Sequence, residues 1–348
     1  MITDAVADVI INNSGICNLC TDYNPATKML EEEKRKEREA DLEKAIQDCK
    51  GQAEYDCLVP VSGGKDSIYL LYKLKVEYGL NVLAFTTDIN IPAIAWDNMV
   101  RTLDALEVDH AIYRPSNKFY QKLFRYLLKN QEQRGAVYSI SYVYAPLFEG
   151  DAIKLAIEKQ IPLVMAGYSP GQPEPERMLY EFSRHLITEV DWTPPGLKKC
   201  NEFDEQELSR FLNPLKYPKN TQFPRYLAPF HAWAYNQDEI MQQVVKLGLV
   251  KSAKNASPIF SNYPINWLLM YSDLKYFGYN PYLPEFAELI REGKASRAQW
   301  RILFPILDFM INHKVLLGKE TNKSLKWLEM TEDELTINQP KGVYDPPV

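Results

Sequence analysis

Long apolar runs are missing from this chain; those present are short and broken by charge, far below the roughly 20 residues that span a bilayer. Residues 1–16 also lack a basic start followed by a long apolar stretch, so a secretory leader is not expected. Cysteine is scarce and odd in number: Cys17, Cys20, Cys49, Cys57 and Cys200. That usage suits reduced thiols in the cytoplasm better than a disulfide framework. A basic surplus is missing too: the formal net charge is -6, so the balance gives no sign of a nucleic-acid binder. The four histidines, His110, His185, His231 and His313, stand in no recognisable catalytic pattern, which sets serine-histidine hydrolase chemistry aside. No internal repeat is found.

What is present is a globular composition, 46% hydrophobic and 25% charged over 348 residues, enough to bury a substantial core. Three regions are expected: residues 1–50, 51–171 and 172–348. The first carries the close pair Cys17–Cys20 and then a dense charge run, 28–49, read as a solvated helix supported by Glu31–Arg35 and Glu32–Lys36 pairs four apart. The second alternates apolar runs at 55–61, 81–88, 110–115 and 161–169 with helical stretches at 67–79, 95–108, 119–131 and 151–160. Such alternation predicts a parallel α/β sheet with helices on both faces. In the third, prolines at 173, 175, 194, 195, 214, 218, 224 and 229 exclude central strands, predicting a long irregular segment over 172–230. Helical spacing then returns over 236–340.

The sharpest local signal is VPV-SGGKDS-IYLLYKL, in which an apolar strand ends, two glycines turn the chain and a helix begins. That juncture aims backbone N–H groups and the positive end of a helix dipole at one point, a ready anion site. Gly63 and Gly64 give the backbone freedom and close approach. Ser62 and Ser67 offer hydroxyls, Lys65 a point charge, and Asp66 a carboxylate for a magnesium ion or the helix start. Thr87, Asp88, Gly167 and Tyr168 stand at the ends of the neighbouring strands, where the chain must turn.

The hexapeptide Ser62–Ser67 resembles the SGGxDS signature of PP-loop, or N-type, ATP pyrophosphatases, matching all its fixed positions. The resemblance implies an adenine-nucleotide α-hydrolase-like, Rossmann-like sheet, with ATP and Mg²⁺ used to adenylate a substrate oxygen and release pyrophosphate, and it makes Thr87, Asp88, Gly167 and Tyr168 candidate nucleotide contacts beside the Ser62–Ser67 turn. SGICNLC (14–20) and the stretch 273–299, with Lys275, Gly278, Tyr279, Ile290, Arg291, Gly293, Lys294, Ser296 and Arg297, further resemble N-acetyl sugar amidotransferases of surface-polysaccharide synthesis. That likeness implies a nucleotide-sugar acceptor whose phosphates Arg291 and Arg297 would hold. It also implies ammonia from a separate glutaminase subunit, since no glutaminase signature is evident here. The family's second Cys-x-x-Cys pair is absent, so Cys17 and Cys20 read either as part of a Zn²⁺ site or as a turn or paired thiol. A homo-oligomer is compatible with all of this. The rival reading is a sulfurtransferase of the same superfamily, acting on tRNA or a small molecule, with Cys200 as its downstream thiol.

Overall fold

The computed structural model describes residues 2–6, 8–22, 25–170, 180–261 and 263–345. Five strands form one sheet: β1 (Cys57–Pro60), β2 (Val82–Thr87), β3 (Asp109–Tyr113), β4 (Leu163–Met165) and β5 (Arg225–Leu227). Their order is β3-β2-β1-β4-β5 and every pairing is parallel, with Leu58 beside both Leu83 and Val164. This is the expected Rossmann-like sheet. The chain winds from β1 outward to β3 on one side, then returns to β4 and β5 on the other. The switch point therefore lies between β1 and β4, where ligands of such sheets gather.

Residues alternate between the two faces, and both faces are covered over β1, β2, β4 and β5, whereas the edge strand β3 is half-exposed. Cys57, Val59, Val82, Ala84 and Met165 pack with Leu42 and Ile46 of the helix Pro25–Cys49 and with Leu70, Leu71 and Met99. Leu58, Leu83, Phe85, Val164 and Tyr226 instead meet Ala152, Ile153 and Ala156 of the helix Ala136–Glu158. Nearly continuous apolar strands are what two-sided burial demands.

Four differences from the sequence reading have physical causes. The helix expected at 151–160 begins at Ala136. Its first half is apolar on all sides and carries Pro146, so neither periodicity nor composition marked it. Its amino end is covered by a distant residue: the Asp273 carboxylate accepts from the Ala136 and Val137 N–H groups, the latter at 3.1 Å. Gly135 permits this, because a β-carbon there would lie 2.4 Å from Asp273 Oδ1. Second, the irregular proline-rich segment contributes β5, an edge strand between Pro224 and Pro229, where missing amide donors do least harm. Pro173 and Pro175 lie outside the described residues. Third, the helix after the glycine turn widens into a π-turn over Lys73–Glu77. Fourth, Glu31 pairs with Lys34 at 3.0 Å and Glu32 with Arg35 at 2.7 Å, spacings of three rather than four. Arg35 also donates to the Ala232 carbonyl at 2.7 Å, and Leu42, Ile46 and Cys49 are buried, so only part of this helix is solvated.

The helices Gln237–Lys246, Ile265–Phe277, Leu283–Arg291, Arg297–Asn312 and Glu320–Leu328 bear out the helical reading of the carboxyl-terminal part. Among the described residues no helix is long and apolar enough to cross a membrane.

Candidate active site

The glycine turn leaves β1 at the switch point. The Val61 amide still donates to the Phe85 carbonyl at 2.7 Å, so sheet pairing holds to the last residue before the turn. Gly63 then takes a φ of +76°, and a β-carbon on it would fall 2.2 Å from the Ala95 carbonyl oxygen. No other residue fits there. Asn98, fully buried on the helix Ala93–Leu106, clamps the turn by donating from Nδ2 to the Gly63 and Asn255 carbonyls, both at 2.9 Å. Gly64 caps the helix Lys65–Tyr72 in an extended conformation and brings no capping side chain. The first-turn amides of that helix are left to an incoming anion. Ser67 Oγ donates to the Gly64 carbonyl at 3.0 Å and lies 3.4 Å from Ser62 Oγ, so the two hydroxyls sit side by side at the turn.

Behind them stands a charged pair. Lys65, only 6% exposed, places Nζ 2.6 Å from Asp66 Oδ2. The Tyr235 hydroxyl accepts from Lys65 at 3.3 Å and donates to Asp66 Oδ1 at 3.1 Å. Burial would strip Lys65 of its proton, but the Asp66 carboxylate and Tyr235 outweigh it and hold the ammonium above its ordinary range. Tyr235 escaped the sequence reading: it lies 170 positions from Lys65 and no local pattern singles it out.

A cavity of about 220 Å³ opens on this turn, lined by Ser62, Gly64, Asp66 and Ser67. Across it lie Thr87 at the end of β2 and Gly167 and Tyr168 beyond β4, with Phe148 as an aromatic wall. The structure thus gathers nine of the ten nucleotide-contact candidates around one turn: eight frame the cavity or pair at its edge, and Gly63 shapes the turn. Asp88 is placed otherwise. Its buried carboxylate pairs with Arg114, 2.6 Å from Nε, and it lines neither this cavity nor the larger one beside it. Thr87 also lies 3.5 Å from Asp151, whose carboxyl burial pushes up to about 6 although Lys154 and Thr87 itself pull the other way.

The other candidates lie elsewhere. Cys17 is buried against Val6 and Val9, with Tyr279 packed on them, while Cys20 is exposed. Arg291 and Arg297 are near enough to Cys20 to pull its thiol pKa down, against burial and the Cys17 thiol, which together raise it. Neither arginine lines either cavity. Among the described residues no third Cys, His, Asp or Glu joins the Cys17–Cys20 pair to hold a metal. Two thiolates do not close a tetrahedral zinc site, so the residues present do not fit Zn²⁺. For Mg²⁺ the fit is better: this ion takes one or two carboxylates plus substrate phosphates, and Asp66 borders both cavities. Cys200 is half-buried, with Sγ 3.3 Å from the Leu197 carbonyl, and lines neither cavity.

No family model matches the chain, and neither does any curated protein. Among solved structures it is similar to the U34-tRNA thiolase NcsA of Methanococcus maripaludis with its [4Fe-4S] cluster, at 13% identity and a TM-score of 0.38, covering 91% of this chain and 88% of that one. It is similar to the NMN synthetase of Francisella tularensis at 12% identity and a TM-score of 0.37, covering 85% and 97%. A third is the NH3-dependent NAD synthetase of Campylobacter jejuni, at 16% identity and a TM-score of 0.36, covering 86% and 97%. At such distances the chemistry has to be read from the site itself.

Proposed function

We propose that this chain is an ATP pyrophosphatase that adenylates the amide oxygen of an acceptor and exchanges that oxygen for nitrogen. The observation that carries the reading is the Ser62–Ser67 turn, with Gly63 locked at positive φ and an uncapped helix start facing a cavity at the switch point. The turn's amides and the Ser62 and Ser67 hydroxyls would grip the β,γ-pyrophosphate, leaving the α-phosphorus toward Tyr168 and the larger cavity. Lys65, kept charged by Asp66, would offset the charge growing on the departing pyrophosphate. When bound, Mg²⁺ at Asp66 would supply further neutralisation.

The acceptor's oxygen attacks the α-phosphorus, the bond to the bridging oxygen breaks, and pyrophosphate leaves. Ammonia then adds to the activated carbon, loses a proton, and AMP departs with the original oxygen. Ammonia would come from a separate glutaminase subunit. N-acetylated compounds are the acceptors that the resemblance to N-acetyl sugar amidotransferases puts first. A sulfurtransferase working through its own persulfide would want a thiol at the site; among the described residues Cys17, Cys20, Cys49, Cys57 and Cys200 line neither cavity. That favours nitrogen.

The test is pyrophosphate release from ATP with an ammonium salt and a panel of N-acetylated acceptors, products being weighed by mass spectrometry. An amidine is slightly lighter than its amide and a thioamide clearly heavier. Release of ADP and phosphate instead, or no ATP turnover with any acceptor, overturns the reading.

A further inference from the structure

A second cavity of about 610 Å³ adjoins the first, sharing Asp66, Tyr144, Phe148, Tyr168 and Tyr263 with it. Its volume lies within the range of small-molecule sites, roughly 300–1,000 Å³. The body of its wall is apolar: Ile140 and Phe124 on one side, Trp267, Phe286, Phe304 and Leu307 on the other. Its charged lining consists of Lys65, Asp66, Glu285 and Lys323. Lys65 is committed to Asp66, Lys323 pairs with Glu320, and no arginine of the described residues lines it.

Two unpartnered donors are buried in its wall, their nitrogens covered by the wall's own atoms, so a ligand reaches them only by a small side-chain turn. Gln237, 3% exposed, and Trp300, 4% exposed, both line this cavity, and Gln237 Nε2 and Trp300 Nε1 have no hydrogen-bond partner. Their backbones are tied together: the main-chain N–H of Gln237 donates to the Lys294 carbonyl at 3.2 Å, just ahead of the helix Arg297–Asn312 that carries Trp300. A buried donor left unpaired costs about 1–3 kcal/mol, and an acceptor atom on a ligand would remove that cost.

We propose that this cavity is the acceptor site and takes an amide with an apolar body, aromatic or aliphatic, bearing one hydrogen-bond acceptor oxygen that meets Gln237 and Trp300. The inference rests on the adenylating reading for its chemistry and departs from a nucleotide-sugar acceptor. A diphosphate calls for arginine forks or several free cations, and the described wall offers neither. The reacting carbonyl would sit at the shared edge near Asp66 and Tyr168, with the apolar body filling the larger cavity behind it.

Calorimetric titration of the full chain tests this with two probes that share an acetamide group: N-(3-methoxyphenethyl)acetamide, which adds an ether oxygen on an apolar body, and UDP-N-acetylglucosamine. The aryl amide is expected to bind saturably and the nucleotide sugar not to bind. Trp300→Phe, which keeps a ring but removes the N–H, and Gln237→Leu should each weaken the aryl amide roughly threefold to tenfold, one hydrogen bond's worth. Binding of the nucleotide sugar alone, or aryl-amide binding unchanged in both variants, overturns the proposal. ATP titrated separately tells the two readings apart: an amide that binds while ATP does not leaves the pocket standing and removes the enzyme.

Discussion

Gly167 and Ser67 are so close that a β-carbon on the glycine would lie 2.8 Å from the Ser67 amide nitrogen. The chain leaving β4 is thereby pressed against the start of the helix Lys65–Tyr72, and the two ends of the switch point share one wall. Gly167→Ala must push the turn away. Overpacking of this kind costs about 1–3 kcal/mol. The expected outcome is a lower melting temperature and at least a tenfold weaker ATP affinity by calorimetry. Wild-type affinity in that variant would show that the helix start does not meet the nucleotide.

Tyr235 touches both members of the Lys65–Asp66 pair, and its loss should be felt as a charge effect. A hydrogen bond to a charged group is worth about 1.5–3 kcal/mol. Tyr235→Phe should therefore lower kcat/KM for ATP roughly tenfold to a hundredfold in pyrophosphate release. Lys65→Met should lower it further. Equal activity of Tyr235→Phe and wild type would reduce the tyrosine to packing.

Asn98 holds two carbonyls from different parts of the chain, Gly63 and Asn255. Asn98→Ala leaves both without that donor in a buried setting, at a cost of about 1–3 kcal/mol. Urea unfolding should register the loss, and ATP affinity should fall with it because the turn loses its clamp. A variant as stable as wild type would mean that water replaces the amide.

Asp273 supplies a pH dependence. Burial raises its carboxyl from 3.8 to about 7, with the Ala136 and Val137 amides pulling the other way. A folded-state pKa above the unfolded one means the native chain holds the proton more tightly. The associated stability is complete below about pH 4 and is lost as pH rises through 7. The loss is on the order of a few kcal/mol. Other carboxylates slope the opposite way, so the comparison is between wild type and Asp273→Asn. Their difference in unfolding free energy should shift against the wild type between pH 4 and 8. A difference that stays flat over this range would show that Asp273 ionises freely.

The residues themselves determined β1 to β4, the glycine turn and the carboxyl-terminal helices, because each is written over a few neighbouring positions. Val59 and Leu58 must face opposite sides of a sheet, and Gly63-Gly64 can turn where other residues cannot. Tertiary structure alone decided the rest. It seated Tyr235 on Lys65, set Asp273 at the head of the helix Ala136–Glu158, drew Arg225–Leu227 to the sheet edge, and turned Asp88 to Arg114. It also held Arg291 and Arg297 beside Cys20 instead of on a cavity wall. These contacts join residues far apart along the chain, and their partners are chosen by which surfaces packing brings together, a choice no local pattern records.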